Sequence, residues 1–259
     1  MIPALQWSTL LVCALVALFR TPAALRGENR SLFGIFVLAT FAMLLSIESS
    51  YVVVDTWLGS ANYANLLLRF VIYGTVLLAG YKIARAFSHS SGVRLLRGPV
   101  GFAVLALVSI ATVVPFLLAD TAGTSVGMAA LPNQSEHNQQ LIRLYTAAGR
   151  LYPAFVAACL LPATLGAVAS RLPGLVRSGA AVLSFGSVAM ILLAFGELLP
   201  RSLAFLQYYI SSAAVLGLVV GLTLIWVGKV AARRAARASA VLEGARRAPD
   251  QANARAEEL

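Results

Sequence analysis

Four ionisable residues interrupt long apolar stretches of the sequence or lie at their edges: Glu48, Arg69, Arg150 and Glu197. A charged side chain inside hydrocarbon costs about 2.5–3.5 kcal/mol by insertion scales, and it usually faces a partner inside a helix bundle. These acids and bases could therefore pair with one another or bind a charged ligand. The glutamates and Arg150 could instead reach the lipid headgroups, so Arg69 most needs a partner, with Glu48 or Glu197 as the natural choice.

Polar and aromatic side chains accompany these charges at helical spacing. Asn65, Arg69 and Tyr73 lie at i, i+4 and i+8, so they share one helix face. Tyr145 and Tyr152 are seven residues apart in another apolar stretch. A third face carries, at i, i+3 and i+7, Glu48, Tyr51 and Asp55. Together these side chains could line a polar cavity open to the outside, although tyrosines also form interfacial belts.

The elements that carry these residues are predicted to be membrane-spanning helices. Apolar residues make up 59% of the 259 positions and charged residues 12%, against about 25% charged in soluble domains. The mean hydropathy is +0.83. Apolar runs of 18 or more residues recur along the chain, and runs of that length are typical of bilayer spans. We predict an all-α polytopic membrane protein with a seven-transmembrane-helix bundle in residues 1–230. Its spans are about 2–19, 31–54, 63–86, 99–119, 140–170, 179–199 and 202–230.

The placement of basic residues predicts the orientation. Arginines and lysines cluster in the loops near 20–30, 82–97 and 171–177 and after residue 229, whereas the alternate loops hold only Arg201. The positive-inside rule then places the N-terminus outside and the C-terminus in the cytoplasm of a multi-pass plasma-membrane protein. The net charge of +10 is explained by this placement and does not indicate nucleic-acid binding.

Residues 231–259 form a basic cytoplasmic tail, which we expect to be partly helical or disordered. If the last helix continues along the membrane surface, three arginines would meet anionic lipid headgroups: Arg233, Arg234 and Arg237. Each basic residue near such a surface contributes about 1 kcal/mol.

Catalytic signatures are weak in this sequence. The G-x-S-x-G match at 123–127 lies in a polar loop instead of a strand-to-helix elbow. Both histidines, His89 and His137, lie in loops, and Cys13 and Cys159 lie in apolar runs without metal spacing. We therefore predict no catalytic residues, no metal, no cofactor and no enzyme activity.

Three short stretches carry a family resemblance: residues 20–27 (RTPAALRG), 55–59 (DTWLG) and 62–67 (NYANLL). With them the first three predicted helices resemble a group of uncharacterised actinobacterial seven-helix membrane proteins, loosely described as transporters or regulators. The resemblance implies the seven-helix fold. It implies no catalytic or binding residues, and members of that group often carry a longer cytoplasmic tail.

Three functions fit these predictions. The first is a receptor-like or regulatory heptahelical protein with an outward-facing polar pocket for a small-molecule ligand. The second is a small secondary transporter in which the helices are organised as three plus one plus three. The third is a structural or assembly subunit whose polar layer locks helices together.

Overall fold

A computed structural model describes residues 2–27, 30–87, 90–128, 131–133 and 135–196, and most positions between 209 and 232. Throughout these residues the secondary structure is helical, with no strand, which confirms the all-helical class. The helices are α1 (Ile2–Leu25), α2 (Arg30–Ser46), α3 (Glu48–Trp57), α4 (Tyr63–Ala86), α5 (Ser90–Arg97), α6 (Pro99–Leu118), α7 (Glu136–Val168) and α8 (Gly174–Ala194), with a 3-10 turn at Val126–Met128.

Four of these helices, α4, α6, α7 and α8, are long and apolar enough to cross a membrane. A fifth candidate span is formed if Phe33–Ser46 and Glu48–Trp57 are taken together as one broken segment. These apolar helices suggest membrane insertion. The seven-helix count and the orientation stay predictions. The first predicted span falls within α1, and a shorter apolar helix, Leu216–Ile225, falls within the seventh.

The second predicted span, 31–54, is divided by a sharp bend. Between α2 and α3 the chain turns by 93°, with Ile47 in an extended conformation at φ −91° and ψ 123°. Just before it, the hydroxyl of Ser46 donates to the carbonyl of Ala42 at 2.8 Å, a back-bond that often bends helices. The next residues, Glu48, Ser49 and Ser50, are polar. The apolar run of α2 therefore ends before the length of a full span, and α3 leaves its axis.

Helices α4, α6 and α7 meet around one cluster of side chains. Helices α4 and α7 run in the same direction, because Asn65 contacts Tyr145 and Tyr73 contacts Tyr152 further along. Helix α6 runs the opposite way and places Thr112 against Tyr73. Helix α2 packs on α4, α1 packs on α2, and α8 packs on α7.

Glycines let α8 and the helix Leu216–Ile225 approach each other closely. A Cβ added at Gly186 would lie 2.9 Å from the carbonyl carbon of Gly217, and one added at Gly179 would lie 2.8 Å from the backbone nitrogen of Ile225. Gly221 in turn faces Leu183. Since the residue numbers rise on α8 as they fall on the partner, the two helices cross antiparallel. Small residues at this spacing are typical of close helix contacts in membranes.

The two ends of the bundle differ in charge. We call the end that carries the connections 58–62 and 119–128 the loop end, and the opposite end the basic end. Exposed arginines at the basic end include Arg26, Arg85, Arg94 and Arg171. There the short helix α5 inserts Leu96 into the core, while the Arg97 guanidinium lies 5.1 Å from the centroid of the Tyr81 ring.

Candidate functional site

Arg69 is the half-buried cation at the centre of the candidate site. It lies six residues after the start of α4, about 9 Å along the helix at 1.5 Å per residue. Its guanidinium carbon lies 5.4 Å from the ring centroid of Tyr145, a geometry that is stabilising by about 0.5–2 kcal/mol. Among the residues that the structure describes, its Nε is buried without a hydrogen-bond partner, and no acidic side chain forms an ion pair with it.

Gly149 on α7 provides the space for the guanidinium. A Cβ added at Gly149 would lie 3.0 Å from Cζ, Nε and Nη1 of Arg69. One helical turn earlier, the hydroxyl of Tyr145 donates to Oδ1 of Asn65 at 3.0 Å. Asn65 and Tyr145 are both buried. The parallel packing of α4 on α7 thus holds the cation between an aromatic face and a helix backbone.

Tyr73 closes the cluster on the side away from the loop end. Its hydroxyl shares a 2.8 Å hydrogen bond with the hydroxyl of Thr112 on α6, and Thr112 also donates to the carbonyl of Val108. The rings of Tyr73 and Tyr152 meet edge to face at 5.4 Å between centroids. Since both tyrosines are buried, this layer separates Arg69 from the apolar core between α4, α7 and α8.

Asp55, on α3, is a completely buried carboxylate at the loop end. Its Oδ1 accepts from the backbone N–H of Ala64 at 3.0 Å, and its Oδ2 accepts from the N–H of Asn62 at 3.1 Å. Thr124 adds a third hydrogen bond, from its hydroxyl to Oδ2, at 2.9 Å. The carboxylate therefore satisfies N–H groups at the start of α4, where the helix dipole favours negative charge.

Asn62 ties the two loops of this end together. Its Oδ1 accepts from the Tyr51 hydroxyl at 2.8 Å and from the backbone N–H of Ser125 at 3.0 Å. Its Nδ2 donates to the carbonyls of Thr121 and Gly123. The backbone has φ 58°, a left-handed conformation that asparagine tolerates better than most residues. Both side-chain donors and the acceptor are in use, so Asn62 is a structural residue.

The G-x-S-x-G match at 123–127 takes part in the same network. The Thr124 hydroxyl binds Asp55 and the Ser125 N–H binds Asn62. Neither contact arranges a nucleophile beside a base. The motif's polar groups position the loop over the start of α4.

The structure places the remaining predicted residues as follows. Glu48 is exposed in the first turn of α3, and within the described part of the chain it forms no ion pair with Arg69. Arg150 is half-buried on α7, directly after Gly149. Glu197 lies outside the described residues. Asn65, Arg69 and Tyr73 are brought together on one face of α4, while the shared layer of four charges stays a prediction.

Chemically, the site presents the guanidinium of Arg69, whose Nε has an unused hydrogen-bond donor among the described residues, surrounded by tyrosine rings. Such a group suits a carboxylate or a phosphate, which would accept charge-assisted hydrogen bonds. In the described residues no three histidine, cysteine or acidic side chains are grouped as metal ligands would be. The roles of Gly149, Asn62 and Thr112 are not visible in the sequence, because they depend on which helices become neighbours.

Comparisons of the chain with protein-family models, with curated proteins and with solved structures found no match.

Proposed function

We propose that the chain is a receptor-like or regulatory seven-helix protein of the plasma membrane, with its N-terminus outside, that binds a small anionic ligand at Arg69. The observation that carries this proposal is the buried Nε of Arg69, which has no hydrogen-bond partner among the described residues. An unmade hydrogen bond at a buried donor costs about 1–3 kcal/mol. Because Nε packs against Gly149, an anionic ligand coming from the loop end would have to shift the guanidinium to reach this atom, and the hydrogen bond it then makes would offset that cost.

The surroundings of Arg69 favour recognition of an anion over catalysis. The neighbouring hydroxyls of Tyr145 and Tyr73 already have partners in Asn65 and Thr112. The side chains around the cation are therefore held in place, and in the part of the chain that the structure describes the Nε of the guanidinium keeps one unused donor. A rigid site with one available cation selects a ligand by charge and shape.

A helix-locking role, as in a structural or assembly subunit, is the second candidate. It is favoured by the packing of Tyr73, Tyr145 and Tyr152, which are each only 1% exposed. In that case the contact of Arg69 with Tyr145 would serve to join α4 to α7, and no ligand would be required.

Thermal unfolding of the purified protein in detergent separates the two candidates. Wild-type protein is heated with acetate, succinate, phosphate or sulfate at matched ionic strength. A ligand at 100 times its Kd stabilises by about 2.7 kcal/mol, so we expect the midpoint to rise by several degrees with at least one anion. We expect Arg69→Gln to abolish that rise, because the substitution removes the cation.

Two glycine variants on α7 provide a matched comparison. Gly149→Ala places a Cβ 3.0 Å from the guanidinium and should weaken the response to the anion. Gly166→Ala, which meets nothing within 4 Å, should leave it unchanged. A response that survives in Arg69→Gln contradicts ligand binding at this site. The helix-locking role predicts no response in the wild type and a lower midpoint for Arg69→Gln without any ligand.

A further inference from the structure

A groove between α6 and α7 lies on the outside of the bundle, near the loop end. It has a volume of about 510 Å³, and the residues that line it are all apolar: Ile110, Ala111, Val114 and Pro115 of α6, and Leu144, Ala147, Ala148 and Leu151 of α7. Ala111, Ala147 and Ala148 form its floor, where small side chains leave space between the helices. Ile110 and Leu144 stand on its rims, 60% and 58% exposed.

The groove continues into two polar depressions. Leu144 and Ala147 also line a depression of about 340 Å³ that contains Gln140 and Arg143. Arg143 in turn lines a third depression, of about 190 Å³, beside Asn138. From Leu151 to Gln140 the path follows eleven residues of α7, about 17 Å at 1.5 Å per residue. The apolar groove thus leads along α7 to the guanidinium of Arg143, on one side of the bundle.

Arg143 is an exposed arginine at the loop end of the described residues. Gln140, one helical turn away, is also exposed and supplies an amide donor. The other polar groups nearby are committed: Asn138 binds both the N–H and the carbonyl of Asp120, and Asn133 donates to the Asp120 carboxylate. Arg143 and Gln140 thus present one guanidinium and one amide, a set that suits a phosphate, while the exposed Glu136 lies one further turn towards the start of α7.

We propose that this groove binds one phospholipid with an anionic headgroup. An acyl chain lies between α6 and α7, and the phosphodiester meets Arg143 and Gln140. In the predicted orientation the lipid belongs to the outer leaflet. Two observations support this occupant: Arg143 is complementary in charge to the headgroup, and the apolar groove continues to Arg143. The site is separate from Arg69 and does not depend on the proposed ligand there.

Native mass spectrometry of the delipidated full chain tests the proposal. Dioleoyl phosphatidylglycerol, dioleoyl phosphatidylcholine or inorganic phosphate is added back at equal concentration. We expect phosphatidylglycerol to bind about fivefold more tightly than phosphatidylcholine, the effect of about 1 kcal/mol from one basic residue near a membrane surface. Inorganic phosphate alone should give no adduct, because it cannot use the groove.

Variants identify the two parts of the site. Arg143→Gln should remove the preference for phosphatidylglycerol, whereas Arg171→Gln at the basic end should retain it. Ala147→Leu fills the floor and should lower the bound fraction of both lipids, whereas Ala158→Leu, exposed elsewhere on α7, should not. Equal binding of both lipids to the wild type, an unchanged preference in Arg143→Gln, or an adduct with phosphate alone overturns the proposal.

Discussion

The carboxylate of Asp55 is fully buried, with three hydrogen-bond donors around its two oxygens. Two of these donors are backbone N–H groups that cannot reverse their polarity. An aspartate can accept from both, because each of its oxygens is an acceptor. The residue type at position 55 is therefore dictated by the start of α4.

Asp55→Asn is expected to destabilise the protein despite its nearly equal size. One of the two acceptor oxygens becomes an NH₂ group, which places a donor against the N–H of either Asn62 or Ala64. An unsatisfied buried donor costs about 1–3 kcal/mol, and about 1 kcal/mol corresponds to about 2–4 °C in Tm at this chain length. Thermal unfolding in detergent measures the effect. Glu48→Gln, at an exposed position, is the control, and equal midpoints for the two variants would contradict this role of Asp55.

At the scale of elements, the crossing of α8 and the helix Leu216–Ile225 depends on glycine at several facing positions. Backbone atoms approach so closely that a single methyl group on either helix forces them apart. The two helices touch through their backbones because these positions carry no side chain. It leaves little sign in the hydropathy of either helix.

Gly186→Ala is therefore expected to lower the unfolding midpoint, because its Cβ would lie 2.9 Å from the backbone of Gly217. Overpacking of this kind costs about 1–3 kcal/mol. Gly217→Ala should have a similar effect, and the double variant should cost less than the two single costs added, since the helices are already separated. The matched control is Gly166→Ala on α7. Additive costs would show that the two glycines do not share one contact.

The sequence contains enough information for the helical class and for the Arg69 face, but not for the bend or the neighbours of Arg69. Asn65, Arg69 and Tyr73 could be grouped because the helical period alone places them together. The 93° turn at Ile47 has no proline or glycine to mark it. The role of Gly149 could not be found, because it requires knowing that α7 packs on α4.

At the scale of the whole molecule, the charge difference between the two ends predicts the orientation in the membrane. The positive-inside rule places the basic end in the cytoplasm. The structure offers one exposed position at each end for a label: Ala122 at the loop end and Ser91 in α5 at the basic end.

Single cysteines at these positions test that orientation in intact cells. In a background with Cys13→Ala and Cys159→Ala, Ala122→Cys should react with a membrane-impermeant maleimide. Ser91→Cys should react only after the cells are permeabilised. Labelling in the reverse pattern would contradict the orientation and would place the Arg143 groove in the inner leaflet.

The distance along the sequence between α4 and α7 sets the order in which the contacts of Arg69 can form. The partner of Asn65, Tyr145, follows 80 residues later. At translation rates of about 5–20 residues per second, Tyr145 is made about 4–16 s after Asn65, so a chain inserted during synthesis would hold α4 in the membrane for that time without α7. During that interval Arg69 has neither its aromatic neighbour nor the space beside Gly149. In that case the insertion machinery, or water within it, would accommodate Arg69 until α7 is made.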